Sequence, residues 1–153
     1  MSALLQAAYR IQKQLWKLLR PRTRGVKVML FNGAGEILLI RNSYGRSDLF
    51  VLPGGGVRPF ETPEAAAKRE VREELDCGVQ CLTLVSTHHS AAEGKRDTVH
   101  LFAASALGNP KSDNREVVEA RFFPLNALPV NVSPATRRRI EEHLGVRSVE
   151  QSW

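Results

Sequence analysis

The stretch Pro53-Gly54-Gly55-Gly56, followed by Thr62-Pro63 and then by Arg69-Glu70-Val71-Arg72-Glu73-Glu74, constrains this chain more than any other. Thr62 suits the cap of a helix and Pro63 its first turn, so a helix is predicted from there to about Leu75. On that helix, positions 70, 73 and 74 are i, i+3 and i+4, which sends three carboxylates out of one face. Ala67, Val71 and Leu75 make a separate apolar stripe that fits against a sheet. Like charges at these spacings destabilise a bare helix by roughly a few tenths of a kcal/mol per pair. A hard divalent cation converts that repulsion into binding, and Mg²⁺ favours a few carboxylates with water and substrate phosphates. The glycines ahead of the helix let the backbone come close to an ion or its phosphates. The competing reading is a solvated acidic face with Arg69 and Arg72 as ion-pair partners.

The rest of the chain supplies a sheet. Two apolar runs, Gly25–Phe31 and Glu36–Ile40, flank Asn32-Gly33-Ala34-Gly35 and predict a β-hairpin. Leu49–Leu52 reads as a short strand entering the glycines. Strands are predicted at Val79–Ser86 and Thr98–Leu107, joined near Glu93-Gly94-Lys95, and at Val117–Phe123. Ser133-Pro134 opens a last helix that stops at Gly145. The order helix, strands, helix, strands, helix predicts a mixed α/β (α+β) domain without regular βαβ alternation.

Length and charge narrow the class. A chain of 153 residues suits one domain. Its formal charge of +6 is unevenly placed: residues 1–24 hold six basic residues and no acidic one, which leaves 16 of each sign in the remainder. The basicity belongs to the N-terminal segment, so a polyanion-binding surface on the body is not indicated. Leu4, Ala8, Ile11, Leu15 and Leu18, widened by Leu5, Trp16 and Leu19, form the stripe of an amphipathic helix that Pro21 ends. Candidate occupants of that stripe are the domain itself, a second copy in a homodimer, or an anionic membrane surface. The sequence divides as 1–24 (basic amphipathic helix and linker), 25–147 (the domain that carries the glycine loop and acidic helix) and 148–153 (tail). Cys77 and Cys81 lack the spacing of a zinc site and read as reduced thiols of a cytoplasmic protein, peripheral to a membrane if the helix binds one.

The glycine loop and acidic helix resemble the Nudix box, whose pattern is Gly, five residues, Glu, seven residues, Arg-Glu-aliphatic-x-Glu-Glu-x-Gly-aliphatic. Gly55, Glu61, Arg69, Glu70, Val71, Glu73 and Glu74 occupy its fixed positions. Asp76 and Cys77 stand where the family has Gly and an aliphatic residue; Asp tolerates the left-handed conformation that closes such a helix better than most. The resemblance implies a mixed sheet sandwiched between helices, and hydrolysis of a nucleoside diphosphate linked to some group X. It implies Glu70, Glu73 and Glu74, with the Gly54 carbonyl nearby, as Mg²⁺ or Mn²⁺ ligands oriented by Arg69 and Glu61. The catalytic base falls on this helix or in a loop opposite, where Glu116 is the candidate and Glu119 its rival. Gly55, Gly56 and Phe60 are candidates for meeting the substrate. Family markers for ADP-ribose (a proline after the box) and dinucleoside polyphosphates (a tyrosine beyond it) are missing. The remaining alternatives are RNA 5′-end pyrophosphate removal, which the neutral body disfavours, and a non-catalytic nucleotide-binding module, which the intact glutamates disfavour.

Three further readings concern packing. Phe50 is expected to pack under the loop rather than stack on a base. His88, His89 and His100 are expected to be surface or satisfied strand residues. Arg137-Arg138-Arg139 is expected to be a solvated helix face.

Overall fold

The computed structural model describes residues 2–19, 22–91 and 96–153. Its elements are α1 (Ser2–Leu19), β1 (Arg22–Phe31), β2 (Ile37–Asn42), α2 (Pro63–Leu75), β3 (Gly78–Ser90), β4 (Arg96–Leu107), β5 (Val117–Phe123) and α3 (Pro134–His143). The predicted turn at residues 93–95 and the helix stop at Pro21 lie outside the described residues.

The five strands form one mixed sheet in the order β3-β4-β1-β2-β5. Of the strand pairs in this sheet among the described residues, β1–β4 alone is parallel, running from Arg22 opposite Arg96 to Phe31 opposite Ser105. Asn32 sets the hairpin between β1 and β2: its side-chain oxygen accepts the N–H groups of Ala34 and Glu36, each at 3.0 Å. Strand alternation then divides the core. Val26, Val28 and Leu30 pack with Ala66, Ala67, Val71 and Leu75 of α2 on one face. Met29, Ile37 and Leu39 pack with Ile140 of α3 on the other. Truncating a fully buried side chain such as Leu75 costs about 2–5 kcal/mol.

The box loop is built into the sheet. Beyond the hairpin, β1 takes its hydrogen bonds from the loop on that edge: Val28 donates to Pro53, Val26 to Gly55, and Val57 to Arg24, all at 2.9 Å. Leu49–Leu52 is therefore not a continuous strand. It contributes single bridges, Val51 to Ile40 and Phe50 to Val132, because it must bend from β2 toward β1. α2 begins as expected, with the Thr62 hydroxyl accepting the Ala65 N–H at 3.1 Å. It ends at Asp76 in the left-handed conformation (φ 48°, ψ 35°).

Elsewhere the structure corrects the sequence reading. Arg139 is not solvated: it is fully buried, ion-paired to Glu142 at 3.0 Å and lies over the ring of Trp153. β3 extends to Ser90, four residues beyond its expected end. Near that end, the His89 N–H donates to Gln151 and the Trp153 N–H to His89, so the C-terminal residues line the strand. At the other terminus, Arg22–Arg24 belong to β1 rather than to a linker. Most of the apolar stripe of α1 does not pack on the domain: Leu4, Ile11, Leu15 and Leu18 are exposed, and of its described members only Leu5 and Ala8 face the body of the protein. No described helix is long and apolar enough to cross a membrane.

Candidate active site

Arg69 fastens the acidic face of α2 to the loop that precedes it. Its Nε and Nη2 donate to the two oxygens of Glu61 at 2.7 and 2.9 Å. Nη1 reaches Glu70 at 2.7 Å and Glu73 at 3.1 Å, while Nη2 also donates to the Gly56 carbonyl at 2.8 Å. A planar guanidinium is suited to this because its donors form a rigid fork. The backbone N–H of Arg58 adds a bond to Glu61 at 2.9 Å. Hydrogen bonds from Arg69, then from Arg58, pull the Glu61 carboxyl down to about 2.

The three helix carboxylates occupy different surroundings. Glu73 is half-exposed and also pairs with Arg58 at 3.1 Å. Glu70 is mostly covered, and burial raises its pKa against the pull of Arg69. Glu74 is buried, with its carboxylate accepting the Gly54 N–H at 2.9 Å. Burial pushes it up to about 8, opposed by the charge of Lys27 and the Gly54 bond. Gly54 thus meets Glu74 through its N–H. Arg69 holds two of the three carboxylates, and among the described residues no cluster of three or more acidic, His or Cys side chains is arranged to grip a metal ion in this geometry.

The loop requires its glycines. Gly54 has φ 141°, and a Cβ there would fall 2.1 Å from the Val26 carbonyl oxygen. A Cβ on Gly55 would fall 2.6 Å from the Glu70 carboxyl carbon. That space belongs to the carboxylate.

A cleft of about 980 Å³ borders Gly54–Gly56 on one side and Glu116 on the other. Glu119, by contrast, is bound to Arg41 at 2.7 Å. Arg58 and Pro59 line the cleft, whereas Phe60 is fully exposed and is not among its lining residues. Phe50 is buried edge-on against Phe123, in the packing role expected for it. Two residues escaped the sequence reading. Tyr44 lies on the cleft wall, its pKa pushed to about 12 by burial and by the nearby Glu116, Glu74, Glu70 and Asp113 carboxylates. Tyr9 of α1 stands against it, with ring centroids 5.6 Å apart. Their partnership spans a helix and a loop, so no local spacing records it.

The model of the NUDIX domain matches residues 21–144 of this sequence. The chain belongs to the NUDIX family. The Nudix fold is also that of a MutT NUDIX hydrolase from Burkholderia pseudomallei, 28% identical with a TM-score of 0.71, over 78% of this chain and 96% of that one. A MutT protein from Methanosarcina mazei shows the same fold at 22% identity and a TM-score of 0.66, over 86% and 98%. A Bacillus subtilis protein provisionally named 8-oxo-dGTP diphosphatase is 30% identical over 78% of each chain. An ADP-ribose pyrophosphatase from Methanocaldococcus jannaschii is 34% identical over 61% of this chain and 57% of its own. This Nudix protein is a hydrolase, in a family whose members act on nucleotide diphosphate derivatives and generally use divalent metal ions.

Proposed function

We propose that the chain is a Mg²⁺- or Mn²⁺-dependent pyrophosphohydrolase that cleaves the diphosphate linkage of a small nucleoside diphosphate-X compound by attack of water. The observation that carries this reading is the Arg69 fork, which aligns Glu61, Glu70 and Glu73 beside the glycine loop. The residues fit a hard divalent cation: the donors are all oxygen, and the Glu70 carboxyl fills the space that a Cβ on Gly55 would take. Glu70, Glu73 and Glu74, with the Gly54 main chain, are the residues that would hold it. Such an ion would supply neutralisation of the charge that develops on the diphosphate and a more acidic water for the attack.

The protein's own groups would do the rest. Arg69 and Glu61 keep the helix carboxylates oriented. Glu116, on the cleft wall, takes the proton of the attacking water, a role for which Glu119 is less suited because Arg41 holds it. Gly55 and Gly56 offer close backbone approach to phosphate. Tyr9 and Tyr44 supply an aromatic wall for a base or other planar group.

Among values of X, the Bacillus relative supports a nucleoside triphosphate. The Methanocaldococcus relative supports ADP-ribose, against the missing proline marker. One observation favours an RNA 5′ end as the second reading: Arg22 and Arg24 line the cleft beside Arg96, a cationic run suited to further phosphates.

The test is a panel of nucleoside triphosphates, nucleotide sugars, ADP-ribose, dinucleotides and triphosphorylated RNA, with Mg²⁺ or Mn²⁺ and products identified by mass. Cleavage of one class that is lost in Glu73→Gln supports the proposal and names X. Nucleotide binding without cleavage under either metal overturns it in favour of a regulatory module.

A further inference from the structure

The helix α1 (Ser2–Leu19) carries three cations, Arg10, Lys13 and Lys17, and no acid, and among the described residues it meets the domain through one side. Gln6 donates to the Ser43 carbonyl at 3.2 Å, Tyr9 packs on Tyr44, and Leu5, Ala8 and Gln12 line the cleft. That side takes only the margin of the apolar stripe, Leu5 and Ala8. Leu4, Ile11, Leu15 and Leu18 are 77%, 64%, 51% and 81% exposed. At 3.6 residues per turn, Tyr9 lies roughly 150° around the helix from the middle of that stripe. The helix thus has two working sides, and the sequence reveals only the apolar one.

We infer that this exposed stripe docks on the surface of an anionic lipid bilayer, with α1 lying flat among the headgroups. Charge complementarity selects this occupant. An acid-free, cationic helix with a row of aliphatic side chains matches a surface that is apolar below and negative above. A symmetric pairing of two copies through the stripe would set an acid-free helix against itself, with no carboxylate on either helix to offset the cations. Because the opposite side of α1 walls the cleft, docking places the mouth of the site beside the bilayer. The inference does not depend on which nucleotide the site cleaves.

The test is sedimentation of the full chain with vesicles of phosphatidylcholine alone or mixed with phosphatidylglycerol, at low and high salt. The wild type is expected to cosediment with the mixed vesicles, on the order of tenfold more than with neutral ones, and to lose binding as salt rises. Ile11→Glu with Leu15→Glu, neither of which lines the cleft, is expected to abolish binding while far-ultraviolet circular dichroism shows the helices retained. Arg10→Gln, which leaves the stripe intact, is expected to weaken binding to mixed vesicles about fivefold. Failure of the wild type to cosediment overturns the inference, as does unchanged binding by the double variant. A concentration-dependent dimer that the double variant dissolves, in a protein that ignores vesicles, makes a second copy the occupant instead.

Discussion

Gly54 donates its N–H to the buried Glu74 carboxylate at 2.9 Å from a backbone conformation (φ 141°) in which any side chain would strike the Val26 carbonyl. The loop, the first strand and the helix therefore meet at a residue that has no room to change. Gly54→Ala is expected to cost about 2–3 kcal/mol of stability through strain at that backbone. Hydrolysis should fall much further, since the carboxylate loses its anchor. Denaturant titration alongside kcat measurement checks both.

Arg69→Lys keeps the charge but not the fork. Two bonds to Glu61 and one each to Glu70 and Glu73 cannot be reproduced by a single ammonium. Activity is expected to drop about 10–100-fold, with the metal concentration for half-maximal rate rising in parallel. Titrating activity with Mn²⁺ separates that outcome from simple unfolding.

Glu116 and Glu119 are separated by their partners. Glu116→Gln is expected to lower kcat about 10²–10⁴-fold with little change in metal dependence, as removal of a general base should. Glu119→Gln breaks a partly exposed pair with Arg41, worth about 1 kcal/mol or less, and should leave turnover near that of the wild type. Equal rates for the two variants would remove Glu116 from the mechanism.

His88 is fully buried on β3, where Nδ1 lies 2.7 Å from the Glu150 carbonyl oxygen, Nε2 lies 2.7 Å from the Ser86 hydroxyl, and Arg139 Nη1 lies 3.0 Å from Nε2. Burial, then the charge of Arg139, lowers its pKa below the ordinary 6.5. The neutral ring is the folded form, so its contribution to stability is complete above pH 6.5 and is lost as pH falls toward the folded pKa. Thermal melts between pH 7.5 and 5 are expected to show a falling Tm, with a shallower slope in His88→Gln. His88→Ala should cost about 1–3 kcal/mol by stranding buried hydrogen-bonding partners.

Much of this was legible in the sequence, for local reasons. Thr62, Pro63 and Asp76 act through their own backbone angles and nearest N–H groups, so the span of α2 can be read directly. The hairpin follows likewise from Asn32. What was hidden depends on distant chain. Arg139 looks solvated until Trp153 and His88 close over it, and Tyr9 finds Tyr44 only after α1 is laid across the cleft. The periodicity of α1 locates an apolar side without naming its partner, and in this protein the domain takes only the margin of that side, at Leu5 and Ala8.

The parallel pairing of β1 with β4 also governs how the chain can come together. Thr23 meets Asp97 across 74 residues, and closing so long a loop precedes any reward from the contact. During synthesis, the hairpin and α2 emerge while the central strand still lacks its longest neighbour. Val26, Val28 and Leu30 can begin to shelter under α2, but Lys27–Phe31 keeps an unoccupied flank until β4 arrives. Assembly is therefore a late, cooperative event, and the interval before it is when this chain is most open to misassociation.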